Sequence, residues 1–402
     1  MAVEIMLLID TLIEPNKTVK AGFESCCQFL IARSLVGKKF VAYFCSTYYR
    51  KNYHRFAIDH DLILIDCFWG RKIGGHPYAL YRHIINDSSR HWRVVWVRNR
   101  DVAVPGDIEG NPRVSFVEYG GRAYTEALLK AGVLICNSNF MSFFARRDTQ
   151  VFVNTWHGIP LKKMGLEIVQ PLSASVNTQR NFNQATLIPM SGVWCTEKVV
   201  GAYGAEWGRR YVRELGSPRI DLMLNADVDS IKKSLGLAGN KKIVLYAPTW
   251  RGTHNAVSDE VQLMAAAIEE IQNDLPDDHV LYVSLHHLTK KVLKEFIEDV
   301  HLVPDSIDIN EFLSATEILI SDYSSIFVDY LAMDRPIILH VPDLSEYLST
   351  RGLLVDIEQL PVTISNDLVQ LKEGLTNPPR PSSFDTFPCF NMLWLPFEDG
   401  AS

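Results

Sequence analysis

The chemistry that this chain could perform is indicated first by the segment NTWHGIPLKK (154–163), in which one histidine precedes two lysines. An imidazole can accept a proton near neutral pH, so His157 is a candidate general base. Lys162 and Lys163 would supply positive charge for a phosphate-bearing substrate. The alternative is a structural histidine in a turn with two solvated lysines, and the segment alone favours neither interpretation.

Two adjacent histidines end a second candidate segment, YVSLHH (282–287). Successive side chains of a strand point to opposite faces, so at most one of His286 and His287 would face a given cleft. An imidazole at this position can donate a hydrogen bond to a phosphate oxygen. Without further context, a histidine satisfied within the core is the favoured interpretation.

Two further segments, SDYSS (321–325) and YAPTWRG (246–252), could bind anions. Ser324 or Ser325 would cap a helix whose first amide groups form an anion site, although for this element in isolation capping alone is the favoured interpretation. Arg251 could bind phosphate through two parallel hydrogen bonds. Trp250 could stack on a base, but packing in the core is commoner for tryptophan.

The elements that must position these residues are predicted from short runs of valine, isoleucine and leucine that alternate with helical patterns. Such runs are typical of parallel strands covered on both faces, so an α/β protein with doubly wound sheets is predicted. The predicted strands are residues 62–67, 94–97, 114–117, 133–136, 151–155, 243–246, 280–285, 318–320 and 337–341. The predicted helices are residues 77–85, 122–131, 260–273, 290–299 and 324–332.

The strand–helix rhythm restarts after residues 216–219, which predicts two Rossmann-like domains, 61–215 and 216–402, facing a central cleft. A site is expected in that cleft, at the carboxyl ends of the strands. Residues 1–60 are predicted to form an N-terminal extension. Its segment YYRKNYHR (48–55) suits either contact with a membrane surface or an ordinary solvated helix face.

Composition excludes several classes of protein. Forty lysines and arginines stand against 47 acidic residues, a net charge of -7 that argues against a general nucleic-acid binder. No uncharged apolar run is long enough to span a bilayer, and the seven scattered cysteines indicate reduced thiols in a cytoplasmic protein. The patterns GxGxxG, GxxxxGK[ST], HExxH and GxSxG are absent, which disfavours the common dehydrogenases, P-loop enzymes, zincins and serine hydrolases.

Several ordered motifs resemble those of the CDP-glycerol:poly(glycerophosphate) glycerophosphotransferases, which build teichoic acids and related capsule polymers. The segment TWHGIPLKKMG (155–165) is close to the family's WHGTPLKKIG, and LYAPTWR (245–251) is similar to its LYAPTWR. The remaining matches are GSPRID (216–221), LISDYSS (319–325), DY (329–330), RPI (335–337), DLSEY (343–347) and RG (351–352).

The resemblance implies a GT-B fold, an acceptor domain at 61–215, a nucleotide-binding domain at 216–402 and no metal or other cofactor. It implies that His157 is the general base and that His286 contacts the donor pyrophosphate. Ser284 stands where the family often has arginine, so charge stabilisation is expected to rest on Arg251. The remaining expected site residues are Thr249, Asp322, Ser324 and Ser325 for the donor, and Lys162, Lys163 and Arg219 for acceptor phosphates.

The implied reaction transfers glycerol or ribitol phosphate from CDP-glycerol or CDP-ribitol to a hydroxyl of a polyol-phosphate or saccharide acceptor, releasing CMP. A lipid-linked acceptor would bring the chain to the inner face of the cell membrane. A sugar-nucleotide glycosyltransferase and a non-catalytic polymer-binding module are the alternatives. Because the sequence stops at the family's entry into its last helix, we expect a segment of a longer polypeptide.

Overall fold

The computed structural model describes residues 35–168, 173–237, 240–249, 257–285, 289, 293, 297, 300–376 and 378–381. They form an α/β protein built on two large parallel sheets, so the predicted class is confirmed. In the described part of the chain, no helix combines the length and the apolar character needed to cross a bilayer.

The first sheet has the strand order β3-β2-β1-β4-β5, and every pairing in it is parallel. The order reverses between β1 and β4, which is where doubly wound sheets bind ligands. The elements of this half, in chain order, are α1 (Leu35–Asn52), β1 (Asp59–Asp66), α2 (Gly75–Asn86), β2 (Arg93–Val97), β3 (Val114–Val117), α3 (Arg122–Lys130), β4 (Ala131–Cys136) and β5 (Val151–Asn154).

A helical segment with one small parallel sheet connects the two halves. Its elements are α4 (Ser173–Gln184), β6 (Ile188–Met190), α5 (Val193–Tyr203), β7 (Val212–Glu214), α6 (Pro218–Leu224) and α7 (Val228–Ser234). Pro218 begins α6 because its fixed backbone angle and missing N–H suit a first helical position. The connection includes a strand pair, β6 with β7, that is too short to leave an apolar run in the sequence.

The second sheet has the order β10-β9-β8-β11-β12-β13 and is parallel throughout. Here the order reverses between β8 and β11. The elements are β8 (Lys242–Ala247), α8 (Val257–Asp274), β9 (His279–Val283), β10 (His301–Leu302), α9 (Ile309–Ala315), β11 (Thr316–Ser321), α10 (Ile326–Tyr330), β12 (Ile337–His340), α11 (Leu344–Thr350), β13 (Thr363–Ser365) and α12 (Leu368–Thr376).

Alternate residues of the central strands enter different cores. On β1, Leu64 packs into one apolar cluster while Ile63 and Ile65 pack into another, so both faces of the sheet are covered. On β8, Leu245 belongs to the same cluster as Leu64, whereas Val244 packs into a third cluster. One apolar core therefore runs from the first sheet to the second.

The two halves also meet through polar contacts. Helix α6 packs against α2 of the first half and α9 of the second. The backbone N–H of Gly75 donates to Asp308 Oδ2 at 2.8 Å, and Arg82 is hydrogen-bonded to Glu311. Asp308 also caps α9 by accepting from the N–H of Asn310 at 2.8 Å. The start of α2 is thereby attached to the start of α9.

The predicted strands all exist, and their ends differ by at most three residues. The strand predicted at 280–285 ends earlier, at Val283, and the helix predicted at 324–332 is α10 followed by a 3₁₀ turn at Leu331–Met333. Most of the helix predicted at 290–299 lies outside the described residues. Helix α1, within the predicted N-terminal extension, packs against α3, where Tyr49 is buried and donates to the carbonyl of Ala145.

Candidate active site

The loop after β5 holds His157 in a strained conformation. Trp156, just before it, has a φ of 54°, the left-handed region that tryptophan rarely adopts. Two interactions stabilise this turn: Asn154 Oδ1 accepts from the N–H of Trp156 at 3.1 Å, and the N–H of Thr155 donates to the carbonyl of Cys136 at 2.8 Å. Strain that the surrounding structure maintains in this way is common at functional sites.

The tautomer of His157 is fixed by the backbone. Its Nδ1 lies 2.9 Å from the carbonyl oxygen of Asn137. A carbonyl can only accept, so Nδ1 carries the proton of the neutral ring and Nε2 keeps a lone pair. The ring of Phe68 meets the imidazole edge to face, with a centroid distance of 5.7 Å. This arrangement orients the ring as a general base requires.

The surroundings of His157 favour its neutral form. Protein atoms crowd the ring although one side is open to the cleft, and this desolvation, together with the charge of Arg219, lowers the pKa of His157 from 6.5 to about 4. The hydrogen bond to Asn137 acts in the opposite direction and is the weaker effect. At neutral pH the imidazole can therefore accept a proton.

Arg219 connects His157 to the second half. Its Nη1 donates to the carbonyl oxygen of His157 at 2.7 Å, and its Nη2 donates to Asp329 at 2.8 Å. Both side chains of this ion pair are buried, and Asn310 donates a further hydrogen bond to Asp329 at 3.3 Å. The binding of acceptor phosphate by Arg219 stays a prediction, whereas its contacts give it a positioning role.

The start of α10 reaches the loop that carries His157. A Cβ atom added to Gly158 would lie 2.9 Å from Ser325 Oγ and 3.3 Å from an Arg219 nitrogen, so only glycine fits there without a shift. Ser324 Oγ accepts from the N–H of Ile326 at 3.4 Å. The structure thus brings the predicted base and the predicted serines together across the boundary between the halves.

Thr249 and Asp322 follow the neighbouring strands β8 and β11 and contact one another. Asp322 is buried and accepts from the N–H of Thr249 at 2.8 Å and from its hydroxyl at 2.6 Å. These bonds join the carboxyl ends of two central strands, the place where parallel sheets bind ligands. Their contact with the donor stays a prediction.

Lys162 and Lys163 lie where the first half meets the loop after α11. Lys162 forms an antiparallel bridge with Leu353, and the N–H of Lys163 donates to the carbonyl of Gly352 at 3.2 Å. The ammonium group of Lys162 lies 5.8 Å from the ring centre of Tyr347, while Lys163 is exposed. Arg251 and His286, the two remaining predicted residues, lie outside the described residues.

A cavity of about 120 Å³ opens beside His157. Both halves line it, and the residues that sequence reasoning missed are Lys72, His76 and Asn310. His76 exposes only 9% of its surface, and its Nδ1 has no hydrogen-bond partner among the described residues. The sequence places His76 in a Gly-Gly-His-Pro segment after β1, which resembles a turn and hides its burial.

Known proteins similar to this chain include teichoic acid polymerases. The chain is 27% identical over 320 residues to the teichoic acid poly(glycerol phosphate) polymerase of Bacillus spizizenii, covering 75% of this chain and 79% of the relative. The chain is also 25% identical to the Bacillus subtilis polymerase of the same description, over 324 residues. This alignment covers 76% of this chain but 42% of that protein.

The fold matches a solved structure of the wall teichoic acid polymerase TagF with a TM-score of 0.71 and 22% identity, over 88% of this chain and 89% of the other. The model of the CDP-glycerol:poly(glycerophosphate) glycerophosphotransferase family matches residues 47–402. Because that match spans most of the sequence and includes every segment of the candidate site, the chain belongs to this family of polyol-phosphate transferases.

Proposed function

We propose that the chain transfers a polyol phosphate from CDP-glycerol or CDP-ribitol to a hydroxyl of a growing teichoic-acid-like or capsule polymer. Family membership supports this reaction class. The single observation that carries the assignment to this site is the His157 imidazole, held as a neutral ring by the Asn137 carbonyl at the wall of a cavity between the halves.

In this reaction His157 Nε2 removes the proton of the acceptor hydroxyl as its oxygen attacks the distal phosphorus of the CDP unit. A new phosphorus–oxygen bond forms, and the bond from that phosphorus to CMP breaks. The departing phosphate takes the electron pair of the broken bond, so negative charge grows on CMP. Groups that already face this charge before the reaction lower the barrier most.

We assign charge stabilisation to His286, Arg251 and the amide groups at Ser324 and Ser325, and acceptor phosphate binding to Lys162 and Lys163. The close approach of Ser325 to Gly158 supports the assignment for α10, because it brings that turn beside the base. A GT-B arrangement is supported by the two parallel sheets, whose strand order reverses once in each.

We propose that no resident metal takes part. The described residues contain no group of three or more His, Cys, Asp or Glu side chains placed to hold a metal ion. Activity should therefore persist in EDTA. Loss of activity that Mg²⁺ or Mn²⁺ restores would contradict this part of the proposal.

We also propose that the enzyme contacts the inner face of the cell membrane when its acceptor is lipid-linked. The basic side chains Arg50, Lys51 and Arg55 are exposed and can approach anionic headgroups. The neighbouring tyrosines are not available as anchors, because Tyr48 donates to Glu126 and Tyr53 to the carbonyl of Arg146.

The proposal is tested by incubating the protein with CDP-glycerol, CDP-ribitol and UDP-sugars and identifying the released nucleotide. We expect acceptor-dependent CMP. His157→Ala should lower kcat on the order of 10²–10⁴-fold without changing the circular dichroism spectrum. Release of UDP, or near-normal turnover by a folded His157→Ala variant, would overturn the assignment.

A further inference from the structure

The cavity beside His157 contains an unused hydrogen-bonding group. His76 is nine-tenths buried and lines this cavity; its Nδ1 is sealed from solvent without a partner in the described part of the chain, so Nε2 is the ring nitrogen that can meet a ligand. Buried polar groups are normally hydrogen-bonded, so a ligand that pairs with Nε2 would complete this side chain.

The other walls of the cavity show which ligand chemistry fits. Lys72 supplies a cation and forms no ion pair with any residue that the structure describes. Asn137 and Asn310 add amides, and Phe68 adds an apolar ring face. No carboxylate is among these lining groups. Hydroxyl groups on a short carbon chain next to one phosphate match this combination of neutral polar, apolar and cationic walls.

The size and position of the cavity agree with such a ligand. Its volume of about 120 Å³ far exceeds the roughly 10–15 Å³ that one water molecule needs. His157 lies in the same wall, so a hydroxyl of a molecule bound here lies beside the base. The turn at Ser324 and the ends of β8 and β11, where the donor is expected, belong to the second half.

We propose that His76 and Lys72 form a subsite for the terminal polyol phosphate unit of the acceptor, with His76 Nε2 hydrogen-bonded to a hydroxyl and Lys72 paired with the adjoining phosphate. This inference rests on the proposed function and extends it by naming the residues that hold the attacking end of the polymer. His76 is a positioning residue, and it removes no proton from the substrate.

Steady-state kinetics with the full chain, CDP-glycerol and a soluble glycerol phosphate oligomer test the subsite. His76→Phe and Lys72→Gln should each raise the KM for the oligomer roughly tenfold or more, with the KM for CDP-glycerol unchanged. His76→Gln places an amide near the lost Nε2 and should restore most of the affinity. His83→Phe, at an exposed histidine on the same helix, is the matched control and should change neither constant.

The opposite pattern would overturn the subsite: an unchanged KM for the oligomer, or a raised KM for CDP-glycerol, which would place the donor in the cavity. A calorimetric titration with glycerol 3-phosphate separates this failure from failure of the proposed function. If the wild type releases no CMP, weaker binding by Lys72→Gln still supports the subsite, and equal binding refutes it. Lys72 is partly exposed, so Lys72→Gln should fold normally. Its result tests the subsite if His76→Phe does not fold.

Discussion

At the scale of single residues, His157 combines a fixed tautomer with a lowered pKa. The first comes from the Asn137 carbonyl and the second mainly from desolvation. The sequence indicated a base at this position. It could not reveal the tautomer, because Asn137 lies 20 positions earlier and reaches the ring only through the pairing of β4 with β5.

The pH dependence of turnover should reflect this environment. Since only the neutral ring can accept a proton, activity is lost as pH falls through the pKa of His157. That pKa is about 4, so kcat/KM should fall with a midpoint near pH 4 rather than near pH 6.5. NMR titration of the His157 ring, assigned by comparison with His157→Ala, gives the same pKa without turnover. A midpoint near 6.5 in both measurements would contradict the described environment.

Asp66, at the end of β1, should make the protein less stable as pH rises. Its carboxyl is fully buried, Oδ1 accepts from the N–H of Gly70 at 3.0 Å, and Oδ2 has no partner among the described residues. Desolvation raises the pKa of Asp66 from 3.8 to about 7. The folded state therefore holds this proton more tightly than the unfolded chain, and its stabilising effect disappears between about pH 4 and 7.

Asp66→Asn should remove this dependence, because the amide keeps the shape of the protonated carboxyl and does not ionise. We expect the wild type to lose up to about 1.4 kcal/mol of unfolding free energy per pH unit relative to the variant over that range. Urea denaturation at about pH 5 and pH 8 measures the difference. Parallel pH profiles for the two proteins would show that the carboxyl is already ionised at low pH.

At the scale of elements, long strands were predictable and short ones were not. The interior strands of both sheets are continuous apolar runs, which is why β1, β4, β8 and β11 were recognised. By contrast β10 has two residues and β13 three, too few to form a pattern. Such strands form because a neighbouring strand supplies their hydrogen-bond partners. This pairing is a tertiary contact that their own short sequences do not reveal.

The site shows the same limit. The family resemblance assigned Arg219 to acceptor phosphates, and its Nη2 is bonded to Asp329, 110 residues later. His76 was missed for a related reason, since its burial depends on the packing of α2 against α6. Sequence reasoning located the base and the turns around it, and long-range pairing determined which polar groups remain available for a ligand.

The ion pair between α6 and α10 should be strongly stabilising as measured by single substitutions. Arg219→Met leaves the buried Asp329 carboxylate without its cation, and we expect a loss of about 3–5 kcal/mol in the free energy of unfolding. Replacing both residues, as in Arg219→Met with Asp329→Leu, should recover most of this stability. It should not recover activity, since the His157 carbonyl loses its donor.

The matched control is Arg209→Met, which breaks an ion pair with Glu197 between solvent-exposed side chains and should destabilise the fold far less. Urea unfolding and CMP release are measured on all four proteins. Equal losses for Arg219→Met and Arg209→Met would show that the α6–α10 pair is as solvated as the surface one. Full activity in the double variant would show that Arg219 is not needed to position His157.

At the scale of the whole molecule, the contact between α2 and α9 should control both stability and turnover. A Cβ at Gly74 would lie 2.3 Å from Asp308 Oδ2, the atom that accepts from the N–H of Gly75. Gly74→Ala must therefore displace Asp308, which also caps α9. We expect a lower melting temperature and a higher KM for the acceptor, because His76 lies only two residues further along the chain.

Gly106→Ala is the comparison for this substitution, because a Cβ added there meets no atom within 4 Å and the backbone needs no left-handed conformation. Gly106→Ala should leave the melting temperature and the KM for the acceptor unchanged. If Gly74→Ala behaves in the same way, Asp308 can move at no cost and does not hold the halves together.

The apolar cluster that contains both Leu64 and Leu245 has a consequence for how the protein can be made and how it can move. Neither half contains a complete apolar core. A fragment ending near residue 216 would therefore expose apolar side chains to water and aggregate on expression. The same continuity means that heating should melt the chain in one step. Wide separation of the two sheets would expose this shared cluster to water, so we expect a polymer end to be admitted by smaller side-chain movements where the halves meet.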